Sequence, residues 1–274
     1  MTARRWSAAA LVLLATAAVA VPLSFGTRQL EIPAPDNYFP VAASAPRFME
    51  VVQSYLPPTN RLVEAYTNIA DRDALVQGKA IDIQRQFQLQ VPRRLEGKLL
   101  SQQEFSEVSQ TVDSEMKKAF ADIGDKAKDL AAEGNARLKE KTGIDAGVSL
   151  SDIGYRGVYR REEWGMFFSM TSKVGMTGSA DALLFCSGAV VVINHQLLYL
   201  YTYSTLRNDK DAQWAQQSLS AWVDAIHAAN PDDPKLEAQA RAKRGGFDWK
   251  QLAMMGVFGA IIGGLVAVFR GRKS

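Results

Sequence analysis

The side chains best suited to nucleophilic or acid-base chemistry are scarce in this sequence. It has two histidines, His195 and His227, and one cysteine, Cys186. Cys186 and His195 fall in one predicted hairpin, with His195 at its turn, so the strand separates them by about 30 Å. Cys186 with His227 remains geometrically open. However, a lone cysteine within an apolar strand is usually an inert core residue.

Other catalytic and cofactor patterns are missing. No paired spacing of Cys, His, Asp or Glu indicates zinc, and there is neither a phosphate loop nor a Gly-x-Ser-x-Gly nucleophile motif. Glu162 and Glu163 lie at a predicted turn, and neighbouring strand residues point to opposite faces, which disfavours a paired-carboxylate site. We therefore expect no catalytic residues, no metal and no cofactor. A hydrolase using Cys186, His227 or Glu163 is the minor alternative.

A row of tyrosines is the main candidate for ligand binding. Tyr199, Tyr201 and Tyr203 alternate with Leu198, Leu200 and Thr202, so a strand would present the three aromatic rings on one face. Such a face could bind sugar or peptide by stacking. The alternative is a packed face whose hydroxyls reach water.

The segment 81–91, IDIQRQFQLQV, has the clearest strand pattern. Apolar residues alternate with polar ones, which predicts a strand with one buried face. The opposite face carries Gln84, Gln86, Gln88 and Gln90. We expect this glutamine face to be solvated; a peptide- or glycan-binding face is the alternative.

The order of predicted elements indicates an α+β fold with an antiparallel sheet of about six strands flanked by helices. A strand at 61–67 precedes the glutamine strand, and a later meander contributes strands at 155–160, 164–173, 182–193 and 197–205. Shorter helices are expected at 47–55, at 71–77 capped by Asp71, and at 210–229 capped by Asp209.

One long amphipathic helix is predicted over 102–141. Ser101 and Glu104 form a capping box at its start, and apolar residues recur at spacings of mostly three and four. Unbroken, the helix would exceed the width of such a domain, so we expect a kink or break at Gly124 and at Gly134. Its charged second half is expected to project into solvent.

Both chain ends carry apolar segments beside basic residues. Residues 1–20 have the layout of a signal peptide, cleaved after Ala20 or retained as an anchor, and 21–60 reads as an extended leader with a short helix. Residues 251–269 form an apolar run of spanning length, which predicts a transmembrane helix followed by a cytoplasmic tail at 270–274. The exported domain would then cover 61–230, and 231–250 would be a tether.

Charge supports this topology and excludes nucleic acid as a partner. The net charge is +3, and it comes from basic residues at the two ends, so the exported part carries about −2. By the positive-inside rule both ends face the cytoplasm. The sequence thus predicts a single-pass protein of the inner membrane, with its main domain on the periplasmic side.

Small residues recur within 251–269 at helical spacing. Gly259, Gly263 and Ala267 form one row, and Gly256, Ala260 and Gly264 form a second. Such rows let another helix approach closely, so self-association or docking on a partner helix is expected. The alternative is that glycine and alanine are simply common in membrane spans.

The order of elements, two strands, a long helix, a four-stranded meander and a helix bearing Trp214 and Trp222, resembles the PsbP-type α+β fold. The resemblance is closest over 182–229, and the long helix from Gln102 and the apolar C-terminal segment depart from it. It implies a non-catalytic binding or assembly subunit. We therefore expect a membrane-anchored exported subunit of a bacterial-type cell-envelope complex, with protein partners; a periplasmic ligand-binding module using the tyrosines is the alternative.

Overall fold

The computed structural model describes residues 21–26, 28–79, 83–121, 123–242, 256, 259 and 260. The strands are β1 (Val21–Phe25), β2 (Arg28–Ile32), β3 (Phe39–Pro40), β4 (Asn60–Thr67), β5 (Arg85–Pro92), β6 (Val148–Glu162), β7 (Gly165–Met176), β8 (Ala182–Ile193) and β9 (Gln196–Thr205). The helices are α1 (Pro46–Tyr55), α2 (Ile69–Val76), α3 (Gln102–Ala121), α4 (Ile123–Thr142), α5 (Asp209–Ala229) and α6 (Pro234–Ala242).

Among these residues, seven strands form one antiparallel sheet in the order β3-β4-β5-β9-β8-β7-β6, and β1 pairs with β2 in a separate hairpin. The predicted α+β class with an antiparallel sheet between helices is confirmed. The meander from β6 to β9 lies where it is predicted, except that β6 begins at Val148 rather than at residue 155. The last meander strand pairs with β5 rather than standing at an edge, which joins the two halves of the sheet.

The sheet has two buried faces with different coverings. On one face, Phe87, Leu89 and Leu200 pack under α5, where Leu219 and Trp222, three residues apart, belong to the buried stripe of the helix. The other face, which we call the tyrosine face, carries residues from three adjacent strands: Gln86, Gln88 and Gln90 of β5, Tyr199, Tyr201 and Tyr203 of β9, and Cys186, Gly188 and Val190 of β8.

The segment expected to be an extended leader contains a β-hairpin that packs on the α5 side of the sheet. Phe25 and Ile32 are fully buried. Asn230, at the end of α5, forms two hydrogen bonds with the hairpin. Its side chain accepts from the backbone N–H of Glu31 at 2.9 Å and donates to the Glu31 carbonyl at 2.7 Å. This pairing of side-chain amide with backbone joins segments far apart in sequence, so no local pattern reveals it.

The predicted long helix is described as α3, which ends at Ala121, and α4, which begins at Ile123. Residue 122 lies outside the described part of the chain, so the expected break near Gly124 stays a prediction. Gly134 lies inside α4, so the expectation of a break there is wrong. The apolar stripe of α4 packs against α1 and β6, and α4 does not project into solvent as expected.

In α2 and α5 the capping residue precedes the predicted one, Asn68 in place of Asp71 and Asn208 in place of Asp209. The Asn68 side chain accepts from the Asp71 N–H at the start of α2, and the Asn208 side chain accepts from the Lys210 N–H at the start of α5. Asp71 and Asp209 therefore lie within the first turns of these helices. Acidic side chains are favourable there because they face the positive end of the helix dipole. The predicted Ser101 cap of α3 is confirmed by its bond with the Glu104 N–H.

The transmembrane helix expected at 251–269 is contradicted. Among the described residues, no helix is both long enough and apolar enough to cross a membrane. The described residues of this segment, Gly256, Gly259 and Ala260, are helical and buried, and they contact the tyrosine face. The physical reason is that an apolar segment can bury its surface against an apolar face of its own chain as well as against lipid.

Several expected segments lie partly or wholly outside the described residues. These are the signal peptide (1–20), the tail (270–274) and most of 251–269. The stretch expected to be a tether, 231–250, contains α6, and its residues 243–250 also lie outside the described part.

Candidate binding face

Strand pairing brings the glutamine row and the tyrosine row onto one face. β5 and β9 are antiparallel neighbours, with Gln86 opposite Tyr203, Gln88 opposite Tyr201 and Gln90 opposite Tyr199. Because side chains alternate between faces along each strand, residues directly opposite each other share a face. The two rows therefore form a continuous strip of amides and phenols across the centre of the sheet.

This strip is buried. The three glutamines and the tyrosines at 199 and 201 have no exposed surface, and Tyr203 is 1% exposed. The expectation that the glutamine face is solvated is wrong. Sequence alternation reports that two faces differ in polarity, but it does not report what covers the polar one.

Three of the buried amides, those of Gln88, Gln90 and Asn60, form a chain of hydrogen bonds. Gln90 donates through Nε2 to Gln88 Oε1 at 3.1 Å, and Asn60 of β4 donates through Nδ2 to Gln90 Oε1 at 3.3 Å. A buried amide without a partner costs free energy, so this chain of hydrogen bonds allows the polar row to stay inside. Asn60 also marks the end of the strip at β4.

The tyrosine hydroxyls donate to the C-terminal part of the chain. Tyr201 donates to the Gly256 carbonyl at 2.5 Å, and Tyr203 lies 3.4 Å from the Gly259 carbonyl. Gly256, Gly259 and Ala260 are related by helical spacings of three and four, so they lie on one side of a helix. We call these three residues the C-terminal contact.

The absence of side chains at the two glycines makes this approach possible. A Cβ added to Gly256 would lie 3.1 Å from both Tyr199 Cε1 and Val190 Cγ2. A Cβ added to Gly259 would lie 2.7 Å from Gln90 Oε1 and 2.9 Å from the Tyr201 hydroxyl. The distances at Gly259 are shorter than real Cβ contacts, so any side chain at that position would displace the buried ends of Gln90 and Tyr201.

Burial fixes the protonation of the strip. Burial raises the pKa values of Tyr199, Tyr201 and Tyr203 well above the ordinary phenol value. The hydroxyls therefore remain neutral hydrogen-bond donors at physiological pH. Burial also raises the pKa of the Cys186 thiol, which leaves it protonated and weakly nucleophilic.

The residues considered for catalysis are not brought together. Cys186 lies on the tyrosine face, whereas His227 lies on α5, across the sheet, and its ring stacks on Trp164 with centroids 4.2 Å apart. His195 is buried in the β8–β9 turn, with its Nδ1 3.1 Å from the Leu100 carbonyl oxygen and its Nε2 3.2 Å from that of Asp233. In the part of the chain that the structure describes, no group of three or more His, Cys, Asp or Glu could hold a metal ion.

The predicted ligand residues and association residues meet at one place. Tyr201 and Tyr203, from the predicted ligand face, contact Gly256 and Gly259, from the predicted rows of small residues. The other members of the rows, Gly263, Gly264 and Ala267, lie outside the described residues. Sequence reasoning missed Asn60 and the sharing of one face by glutamines and tyrosines, because the pairing of β5 with β9 is a long-range feature.

Comparisons with known proteins identify no family. No protein-family model matches the chain, and no curated protein matches it. A solved structure described as a mutant of protein Mog1 is similar over 82% of this chain and 94% of its own, with 9% sequence identity and a TM-score of 0.28. A likeness this weak carries no argument, so the resemblance to the PsbP-type fold remains a prediction.

Proposed function

We propose that this protein is an exported, non-catalytic binding or assembly subunit of a bacterial-type cell-envelope complex, and that the tyrosine face is its binding surface. The observation that carries the proposal is the pair of contacts from Tyr201 and Tyr203 to main-chain carbonyls of the C-terminal contact. A surface that holds a glycine-bearing apolar segment through its backbone has the chemistry of a peptide-binding site.

The chemistry of the strip favours binding over catalysis. Its hydroxyls are neutral donors, the amides of Gln88, Gln90 and Asn60 bond one another, and its one thiol has a raised pKa. Catalysis would require a group that gains or loses a proton near neutral pH, or an activated nucleophile. Hydrogen bonds to carbonyls together with a broad apolar contact are instead the means by which proteins recognise peptide segments.

The location belongs to the same proposal. The basic and apolar residues of 1–20 have the order of a signal peptide, which supports export. The tyrosine face would then meet its partners outside the cytoplasm. The excess of acidic over basic side chains in the exported part, about two charges, disfavours nucleic acid as one of them.

Affinity capture of the tagged full chain in mild detergent tests the proposal. We expect the wild type to retain specific envelope proteins, and Tyr201→Phe combined with Gln88→Leu to retain at least about fivefold less of them, because the variant loses polar groups of the strip with little change in volume. Tyr159→Phe is the matched control, since its hydroxyl bonds Ser187 on the α5 side of the sheet at 2.7 Å. Equal capture by all three chains, or capture of nothing by the wild type, would refute the proposed role.

A further inference from the structure

The contact between the tyrosine face and the C-terminal residues defines the ligand class more narrowly. We infer that the tyrosine face is a receptor site for an apolar helix with small residues at positions i, i+3 and i+4. The resident occupant is the chain's own C-terminal contact, for which another helix of the same pattern competes. This inference rests on the proposed binding role of the face and specifies what it binds.

Steric selection is the first argument. A Cβ at Gly259 would force the side-chain ends of Gln90 and Tyr201 to shift, and a Cβ at Gly256 would press on the side chains of Tyr199 and Val190. Ala260, which is 1% exposed, shows that a methyl group is accommodated at the third position. Larger side chains at the two glycine positions would hold the helix away from the sheet and break both tyrosine contacts, so the site discriminates by side-chain volume.

Hydrogen bonding is the second argument. A helix carbonyl has two lone pairs, and its internal bond uses one of them, so the other can accept from an outside donor. Glycine leaves its carbonyl accessible because it lacks a side chain. Tyr201 reaches the Gly256 carbonyl, while the buried amide pair of Gln88 and Gln90 is already satisfied. The site therefore offers a tyrosine donor to the helix backbone while Gln88, Gln90 and Asn60 keep the hydrogen bonds among themselves.

The chain connection explains why the site is filled internally. Glu237 of α6 accepts from the Ser101 hydroxyl at 2.8 Å and from the Gln102 N–H at 3.2 Å, which fixes α6 to the start of α3. About twenty residues separate this attachment from Gly256, so the C-terminal contact reaches the face as part of the same chain, which favours it over a separate helix. A competing helix must overcome that advantage, so it displaces the internal segment only above a certain concentration or affinity.

A disulfide experiment on the full chain tests the resident occupant. A Cβ at Gly256 would lie 3.1 Å from Val190 Cγ2, which places the two Cβ atoms within about 4.5 Å, suitable for a disulfide. In a Cys186→Ala background, Val190→Cys with Gly256→Cys should form an intrachain disulfide to at least about ten times the extent of Leu183→Cys with Gly256→Cys. Leu183 is the matched control because it lies on the same strand with its side chain exposed and on the opposite face.

Competition tests the ligand class. The probe is a peptide of residues 252–269 with flanking lysines, and the control peptide has leucine at the positions of Gly256 and Gly259. The first peptide should reduce disulfide formation at least about fivefold at concentrations above the internal effective concentration, and the control peptide should not.

Each other outcome overturns the inference. Equal disulfide yields from the Val190 and Leu183 variants, or a disulfide between chains, would exclude the chain's own segment as occupant. Equal effects of the two peptides would exclude selection for small residues. In either case, capture of partners that depends on Tyr201 would still support the proposed binding role, so the two failures are distinguishable.

Discussion

At the scale of single residues, glycines decide which surfaces of this protein approach each other. In α4, Gly134 receives the ring of the fully buried Tyr55, whose hydroxyl donates to Asn135 Oδ1 at 2.8 Å. In the C-terminal contact, Gly256 and Gly259 pack directly against side chains of the tyrosine face. The sequence indicates both as breaks or helix contacts, but it does not indicate which side chain fills the space.

Two alanine substitutions in α4 separate packing from helix propensity. Gly134→Ala places a Cβ 2.4 Å from Tyr55 Cδ1, so we expect destabilisation of about 1–3 kcal/mol in spite of better helix propensity. At Gly124 no atom beyond the adjacent residues and the local helix backbone lies within 4 Å of the added Cβ, and Gly124→Ala should stabilise by up to about 1 kcal/mol. Urea unfolding of both variants measures the difference. Stabilisation of both proteins would show that α4 does not pack on α1 at Tyr55.

At the scale of elements, one buried carboxylate ties α5 to the sheet. Asp211 is 3% exposed and lies 3.0 Å from the guanidinium of Arg85 on β5 and 2.8 Å from that of Arg207. Arg85 also stacks over Trp214, with its guanidinium carbon 4.2 Å from the ring centre. The first turn of α5 is thereby held to the strand that carries the glutamine row on its other face.

The ion pairs of Asp211 predict a loss of stability in acid. The hydrogen bond from Arg207, with that from Arg85, holds the pKa of Asp211 well below its ordinary value. A lowered folded-state pKa gives stability that is present above the unfolded pKa of about 4 and is lost as the pH falls toward the folded value. Asp211→Asn should therefore be less stable than wild type at pH 7, and the difference should shrink steadily below about pH 4.

Unfolding midpoints between pH 2 and pH 7 check this prediction, with Asp209→Asn as the control from the same turn. Asp209 is not the cap of α5, because Asn208 provides it. The buried ion pairs of this turn belong to Asp211. Asp209→Asn should lose less than about 1 kcal/mol, the contribution of an acidic side chain in a first helical turn, and so less than Asp211→Asn at pH 7. A constant gap between Asp211→Asn and wild type over the whole range would contradict the lowered pKa as its cause.

The predictability of the elements follows from how local their determinants are. The strands of the meander, the stripe of α5 and the cap at Ser101 depend on alternation, helical period and capping chemistry, and all of them can be predicted from the sequence. The placement of the leader hairpin cannot, because it depends on contacts such as that of Asn230 with Glu31. The same applies to the candidate site: its tyrosines are visible in the sequence, but its shared face with the glutamines is not.

At the scale of the whole molecule, the sheet separates an apolar side under α5 from a side that combines apolar and polar groups. The C-terminal contact lies on the second side. An apolar run of spanning length predicts a membrane helix because sequence hydropathy reports only that a segment avoids water. It does not distinguish lipid from a complementary protein face, and here the tyrosine hydroxyls and the glycines provide that complementarity.

The reactivity of Cys186 tests this account most directly, because the thiol is the only one in the chain, lies opposite Tyr203 on the tyrosine face and is 4% exposed. Maleimide labelling under native conditions should be slow in the wild type and at least about tenfold faster in Gly259→Leu, whose side chain displaces the C-terminal contact. Gly124→Leu is the size-matched control and should label at the wild-type rate. Labelling of Gly259→Leu at the wild-type rate, with an unchanged melting temperature, would contradict the claim that the C-terminal contact closes this face.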